Sequence, residues 1–192
     1  VRDAALLADT VKISLSVWDQ HSLEMINRPH KNFRFEDILE GQKKFRKLFK
    51  GCLLAEVFVL LGMNSMPSDM KKIAEHLKEI EPDRIQLNTV TRPPAEEFAA
   101  APSEEQLESL TELFDPTAEI IAEFHSSRAR NIRANEETVM AMLRRRPCAI
   151  GQIAQAFDMH INEASKYLGK LMRVGRIRAV RKKESIYYTS VE

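Results

Sequence analysis

Three stretches of the sequence carry polar side chains where a fully packed strand would carry apolar ones. In residues 9–17, Val11, Ile13, Leu15 and Val17 share one face at period two, and Lys12, Ser14 and Ser16 share the other. Residues 52–61 are nearly all apolar, as in a strand covered on both faces, and Glu56 is the exception. In residues 84–90, Ile85 and Leu87 oppose Gln86 and Asn88. If each apolar set packs on helices, Ser14, Ser16, Glu56, Gln86 and Asn88 line the opposite side. A structural barrel core would place Val, Ile or Leu there. The polar set therefore points to a wet or ligand-lined cavity. Glu56 is the sharpest case, because burying an unpartnered carboxylate is costly. The other reading pairs Glu56 with Lys12 or Arg28 as a structural ion pair.

Other reactive chemistry is sparse. Cys52 and Cys148 are the only cysteines and lie far apart without CxxC spacing. Alone they make neither a disulfide framework nor a thiolate metal site, and they suit a reducing, cytoplasmic setting. The sequence contains no HExxH, Walker phosphate loop, GxGxxG or GxSxG, so hydrolase and Rossmann readings lack their minimum residues. The five histidines are scattered, and His21 and His30, flanking a short helical turn, are expected at the surface. Trp18, just after the first strand, suits either a cavity mouth or plain packing.

The elements that position these residues follow from periodicity and breakers. Phe35, Ile38, Leu39, Phe45 and Leu48 recur at helical spacing, and Gly51 ends that helix. Met70, Ile73, Ala74, Leu77 and Ile80 mark a second helix, with Ser68 as its expected cap and Pro82-Asp83 as its break. A Pro- and Ala-rich loop (92–102) leads to the capping box Ser103-Glu104-Glu105-Gln106 and a helix through Phe114. The order β-α-β-α-β-α implies parallel strands with right-handed crossovers. Three such units cannot close a barrel and leave both sheet edges unpaired. A second copy would pair those edges, or further strands belong to the same protein.

Residues 9–94 resemble the radical S-adenosylmethionine (SAM) family, in its iron-sulfur oxidoreductase branch. The resemblance rests on Val11-Lys12-Ile13-Ser14-Leu15-Ser16, Ile26-Asn27-Arg28-Pro29-His30, Ala55-Glu56-Val57-Phe58-Val59-Leu60-Leu61-Gly62-Met63-Asn64 and Asp83-Arg84-Ile85-Gln86-Leu87-Asn88-Thr89-Val90-Thr91-Arg92-Pro93-Pro94. It implies an α/β fold in which residues 1–115 form half of a TIM-like parallel (βα) barrel. It implies that Ser14 and Ser16 contact the ribose or carboxylate of SAM, that Glu56 approaches SAM, and that Gln86, Asn88 and Thr89 lie near the adenine. Arg28 and Arg92 would reach cofactor or substrate, or else brace their own loops. The family's CxxxCxxC motif, which binds a [4Fe–4S] cluster, and its Gly-Gly-Glu stretch are both missing. The resemblance thus implies the C-terminal part of such an enzyme, whose partner is the N-terminal half of the same protein. By itself this chain is expected to hold no cluster and to perform no radical chemistry.

The remaining residues differ in charge. Residues 134–192 hold eleven basic and six acidic side chains, a net +5, while the rest holds eighteen basic and twenty-two acidic, a net −4. Such asymmetry marks separate partners. Residues 116–134 are expected to form a helical linker. Residues 135–192 show three helical stretches, a glycine stop at Gly175, and two short strands flanking Arg181-Lys182-Lys183-Glu184. With Ile153-Ala154-Gln155-Ala156-Phe157, Tyr167-Leu168-Gly169-Lys170-Leu171 and Gly175-Arg176-Ile177, this segment resembles a winged helix-turn-helix domain. That resemblance implies contacts from Lys166, Lys170, Arg173, Arg181, Lys182 and Lys183 to nucleic acid or to a protein partner. It also leaves open a ligand-sensing transcriptional regulator in place of an enzyme part. No apolar run approaches the roughly 20 residues that span a bilayer, so no membrane role is expected.

Overall fold

A computed structural model describes residues 2–91, 99–122, 135–182 and 185–191. It divides the chain into two compact units. The first comprises Val1–Val59, Pro67–Thr89 and Ser103–Glu123, and the second Leu60–Met66, Val90–Pro102 and Phe124–Glu192.

The first unit is a parallel α/β arrangement, consistent with part of an α/β barrel. Its strands β1 (Thr10–Ser14), β2 (Cys52–Val59), β3 (Arg84–Thr89) and β4 (Glu119–Ile120) lie side by side in chain order, all parallel. Its helices are α1 (Arg2–Ala5), α2 (Gln20–Ile26), α3 (Phe35–Leu48), α4 (Pro67–Ile80) and α5 (Glu104–Thr111). Consecutive parallel neighbours need a crossover, and α3, α4 and α5 occupy the three crossovers. Leu39, Met70, Ile73, Leu77, Leu107 and Leu110 are buried. So are Leu53, Ala55, Val57, Val59, Ile85 and Leu87 from the strands.

Residues 52–61 read as a strand covered on both faces, and the structure corrects this. Along β2 burial alternates strictly, with Leu53, Ala55, Val57 and Val59 buried and Cys52, Leu54, Glu56 and Phe58 only half-buried. One face packs on helices, and the other stays partly open. The expected helical linker needs correction as well. Glu119–Ile120 is a fourth strand on β3, and the Ile121 amide extends its ladder by donating to the Leu87 carbonyl at 2.9 Å. The open edge of β3 has unpaired backbone groups to offer, and a strand satisfies them where a helix could not. Residues 123–134 lie outside the described residues.

Helix ends follow local chemistry. Ser103 caps α5 through a reciprocal box with Gln106, as its spacing predicts. At α4 the expected cap, Ser68, is already inside the helix. Pro67 takes the first helical position, where its missing N–H costs nothing and its φ is pre-set.

The second unit holds α6 (Glu136–Arg145), β5 (Cys148–Ala149), α7 (Ile150–Ala156), α8 (Ile161–Arg173), β6 (Ile177–Lys182) and β7 (Ser185–Ser190). The three strands form an antiparallel sheet in the order β5-β7-β6. Val139, Met140, Leu143, Ile153, Ala164, Leu168, Leu171 and Ile177 form one core with Leu61, Met66 and Ala100. Gly62, at φ +72°, turns the backbone beneath the Phe157 ring, so close that a Cβ there would sit 2.7 Å from the ring tip. Only glycine accepts both that angle and that approach. Among the described residues no helix is long and apolar enough to cross a membrane.

Candidate functional site

Parallel register brings the sequence-predicted polar residues of the first unit into rows. Ser14, Glu56 and Gln86 are successive partners across β1, β2 and β3, and β4 places Glu119 beside Gln86. Lys12, Leu54 and Arg84 form the row before, and Phe58 and Asn88 the row after. Alternation puts all of these on the face opposite the buried strand residues.

Glu56 sits between two donors. Lys12 Nζ is 3.1 Å from its Oε2, and Asn88 Nδ2 is 3.1 Å from its Oε1. Its side chain is 22% exposed. Of the two ion-pair partners suggested by the sequence, Lys12 makes the contact. Arg84 and Glu119 form a fork, Nε to Oε1 at 2.9 Å and Nη2 to Oε2 at 2.5 Å. That hydrogen-bonded pair raises the Arg84 pKa and holds the Glu119 carboxyl below its ordinary value, and a weaker hydrogen bond from Gln86 acts on Glu119 in the same sense. Gln86 is 9% exposed, and its Oε1 is buried with no hydrogen-bond partner among the described residues. A buried amide oxygen without a donor is costly, so this atom marks a place where an N–H or O–H group would be favourable.

Several sequence-predicted residues lie elsewhere. Ser16 falls beyond the end of β1 and is buried, and its Oγ accepts the Phe58 amide at 2.8 Å. The side chain thus continues the ladder where the β1 backbone departs, which is a structural duty and not an open contact. Thr89 belongs to the opposite parity, with Ile85 and Leu87. It is buried, and its hydroxyl donates to the Val59 carbonyl at 2.7 Å. Both residues are therefore removed from the open polar face. Arg28 is exposed in a tight turn at φ +48°. Arg92 lies outside the described residues.

Trp18 packs in the first unit: Lys72 Nζ lies 5.2 Å from the ring centroid, and His76 Nε2 donates to the Trp18 carbonyl at 3.0 Å. In the second unit, Lys166 and Arg173 are exposed on α8, and Lys170 pairs with Glu136 of α6. Arg181 is exposed on β6, Lys182 ends that strand, and Lys183 lies outside the described residues.

Sequence reasoning missed Arg84 and Glu119. The signal for Glu119 is slight, two β-branched residues, Ile120 and Ile121, after the turn residues Asp115 and Pro116. A two-residue strand has no period to detect.

Two cofactors follow from the radical SAM resemblance, and the residues fit them unequally. Carboxylate, amide and hydroxyl groups on one face suit a ligand rich in amines and hydroxyls, and the orphan Gln86 oxygen adds an acceptor, so the polar set fits SAM. A [4Fe–4S] cluster needs several cysteine thiolates. Cys52, half-buried at the start of β2, and Cys148, buried in the core of the second unit, do not form such a set. Among the described residues no group of three or more His, Cys, Asp or Glu is placed to hold a metal.

The fold defines the class first: an α/β protein whose parallel sheet and helices match part of a barrel. It resembles the crystal structure of a radical SAM methyltransferase from Sphaerobacter thermophilus with a TM-score of 0.52 at 12% identity, over 67% of this chain and 39% of that one. At that identity the likeness concerns the fold alone. No protein-family model matches the sequence.

In sequence the chain is similar to a protein named GTPase Obg from Brachyspira hyodysenteriae, 30% identical over 182 residues, covering 93% of this chain and 27% of that protein. A UPF0026 protein from Methanocaldococcus jannaschii is 35% identical over 115 residues, covering 60% of this chain and 36% of that protein. A UPF0026 protein from Helicobacter pylori is 28% identical over 174 residues, covering 90% and 54%. The chain thus spans between about a quarter and a half of the length of these relatives.

Proposed function

We propose that this chain supplies SAM- and substrate-facing strands to a radical SAM iron-sulfur oxidoreductase, as its C-terminal part, together with a winged-helix accessory domain. The observation that carries the reading is the buried, unpartnered Gln86 Oε1 on a polar sheet face that also holds Glu56 and Asn88. The fold likeness to a radical SAM methyltransferase supports it.

In this reading Glu56 is oriented by Lys12 and Asn88 so that its carboxylate accepts from the ligand's hydroxyl or amino groups. Gln86 Oε1 accepts from an exocyclic amine, and Ser14, exposed at the end of β1, offers a hydroxyl at the rim. The radical SAM resemblance gives Arg28 and Arg92 their roles toward cofactor or substrate. The thiolates for a cluster come from outside this sequence, and the chain alone carries out no turnover. Two cysteines far apart in the sequence, without CxxC spacing, suit a reducing, cytoplasmic setting.

The accessory domain is residues 135–192. Helices α6, α7 and α8 supply its tri-helical core, α7–α8 its helix-turn-helix, and β6–β7 its wing. Lys166, Lys170, Arg173, Arg181, Lys182 and Lys183 are its basic residues toward a nucleic-acid or protein partner.

Isothermal titration of SAM into the purified chain tests the cofactor reading, with Glu56→Ala and Asn88→Ala measured alongside. Saturable binding that each substitution weakens about tenfold, a loss of roughly 1.4 kcal/mol, supports the polar face as a SAM site. Binding that neither substitution changes, or no binding, overturns the assignment of these residues.

A further inference from the structure

The antiparallel sheet of the second unit has a face that the accessory-domain reading leaves unused. Tyr188 packs against the core, and its register partner Cys148 is buried in it, as is Ile177. Strand neighbours point to opposite sides. Tyr187 therefore lies on the outer face, in register with Ala149 on one side and Val180 on the other. One step along, Arg178 stands across from Thr189 on the same face. Arg178 is exposed, and Tyr187, Val180 and Thr189 are half-buried.

The chemistry of this face is one-sided. Of the arginines of β6, Arg178 has the parity of this face and Arg181 the opposite one, and β6 and β7 contain no acidic residue, within a segment of net charge +5. The polar face of α8 is less favourable to an anion. It carries Glu163 beside Lys166, and Lys170 is already engaged by Glu136.

A tyrosine ring set in a sheet and flanked by a cation suits an unstacked base with its neighbouring phosphate. Bases within a duplex keep their flat faces covered, whereas a single strand offers them. We propose that the outer face of β5-β7-β6 binds single-stranded nucleic acid, with Tyr187 stacking on a base and Arg178 on an adjacent phosphate. This inference rests on the second unit alone and is independent of the SAM reading.

Fluorescence anisotropy with the full chain tests it, using labelled RNA and DNA single strands of about 12 nucleotides and a hairpin duplex of the same sequences. Both single strands are expected to bind more tightly than the duplex. Tyr187→Leu, which keeps apolar bulk, should weaken single-strand binding about tenfold, and Tyr187→Phe should stay near the parent. Arg178→Gln, at an exposed position, should lower the slope of log affinity against log salt by about 0.7, the share of one phosphate contact on a single strand. Lys166→Gln and Arg173→Gln report on the α8 contacts of the accessory-domain reading through duplex binding, and Lys44→Gln, at an exposed position of the first unit, should change little.

Duplex preference lost through the α8 variants, affinity indifferent to Tyr187→Leu and Arg178→Gln, or no nucleic-acid binding at all would each overturn the proposal. SAM titration of the same variants separates the two readings, because neither sheet substitution should alter it.

Discussion

Asp83 and Leu53 bond to each other in both directions. The Leu53 amide donates to Asp83 Oδ2 at 2.7 Å, and the Asp83 amide donates back to the Leu53 carbonyl at 2.8 Å. Arg46 of α3 adds a fork to the same carboxylate, both arms at 3.0 Å. The turn entering β3 is thereby pinned to the start of β2, and the register that sets Glu56 beside Gln86 begins from that clip.

The clip predicts a specific loss of stability. The Leu53 amide, then Arg46, holds the Asp83 carboxyl below its ordinary pKa. A depressed carboxyl pKa contributes stability above the unfolded value, near 4, and loses it as pH falls through the folded value. Its side chain is 40% exposed, so solvent screening limits the effect. Asp83→Asn should lower unfolding free energy by about 1 kcal/mol at pH 7. In urea denaturation that gap should narrow steadily below about pH 4. A gap that is constant with pH would assign the loss to packing.

Ser16 and Thr89 should behave as structural residues. Ser16→Ala removes the acceptor of the Phe58 amide hydrogen bond, and Thr89→Val removes the donor to the Val59 carbonyl. Each should cost about 1–2 kcal/mol. Neither should alter SAM affinity beyond what unfolding explains. A Thr89→Val protein with parent stability and lost SAM binding would restore Thr89 to the site.

The Lys12–Glu56 pair lies partly in solvent, with side chains 41% and 22% exposed. A double-mutant cycle of Lys12→Met and Glu56→Gln, read by thermal unfolding, should give a coupling below about 1 kcal/mol. If coupling is larger, the pair is a stability device and Glu56 has a purpose without any ligand.

Gly62→Ala should destabilise the second unit. The residue must hold φ +72°, and its new Cβ would meet Phe157, whose ring is itself buried in that core. The expected cost is about 2 kcal/mol, seen as a lower melting temperature. Gly41→Ala, in open space on α3, should be neutral or slightly stabilising.

Much of the polar face was legible in local periodicity. Lys12 and Ser14, Glu56, and Gln86 and Asn88 share one parity because successive strand residues point to opposite sides, a rule that needs no partner. The same holds for the helical stripes of α3 and α4 and for the Ser103 capping box, whose bonds span three residues.

Other features arise only where distant segments meet. Ser16 has the parity of the open face but is buried, because β1 leaves the sheet after Ser14 and a side chain must accept the Phe58 amide. Thr89 looked continuous with Gln86 and Asn88, yet parity and the Val59 carbonyl turn it toward the buried side. Glu119 joins the polar row only because β3 has a free edge, and Asp83 and Leu53, thirty residues apart, set the register behind that row. Periodicity within the chain determined which faces are polar. Pairing between strands, which depends on backbone groups left unsatisfied elsewhere, decided which of those polar groups stand together.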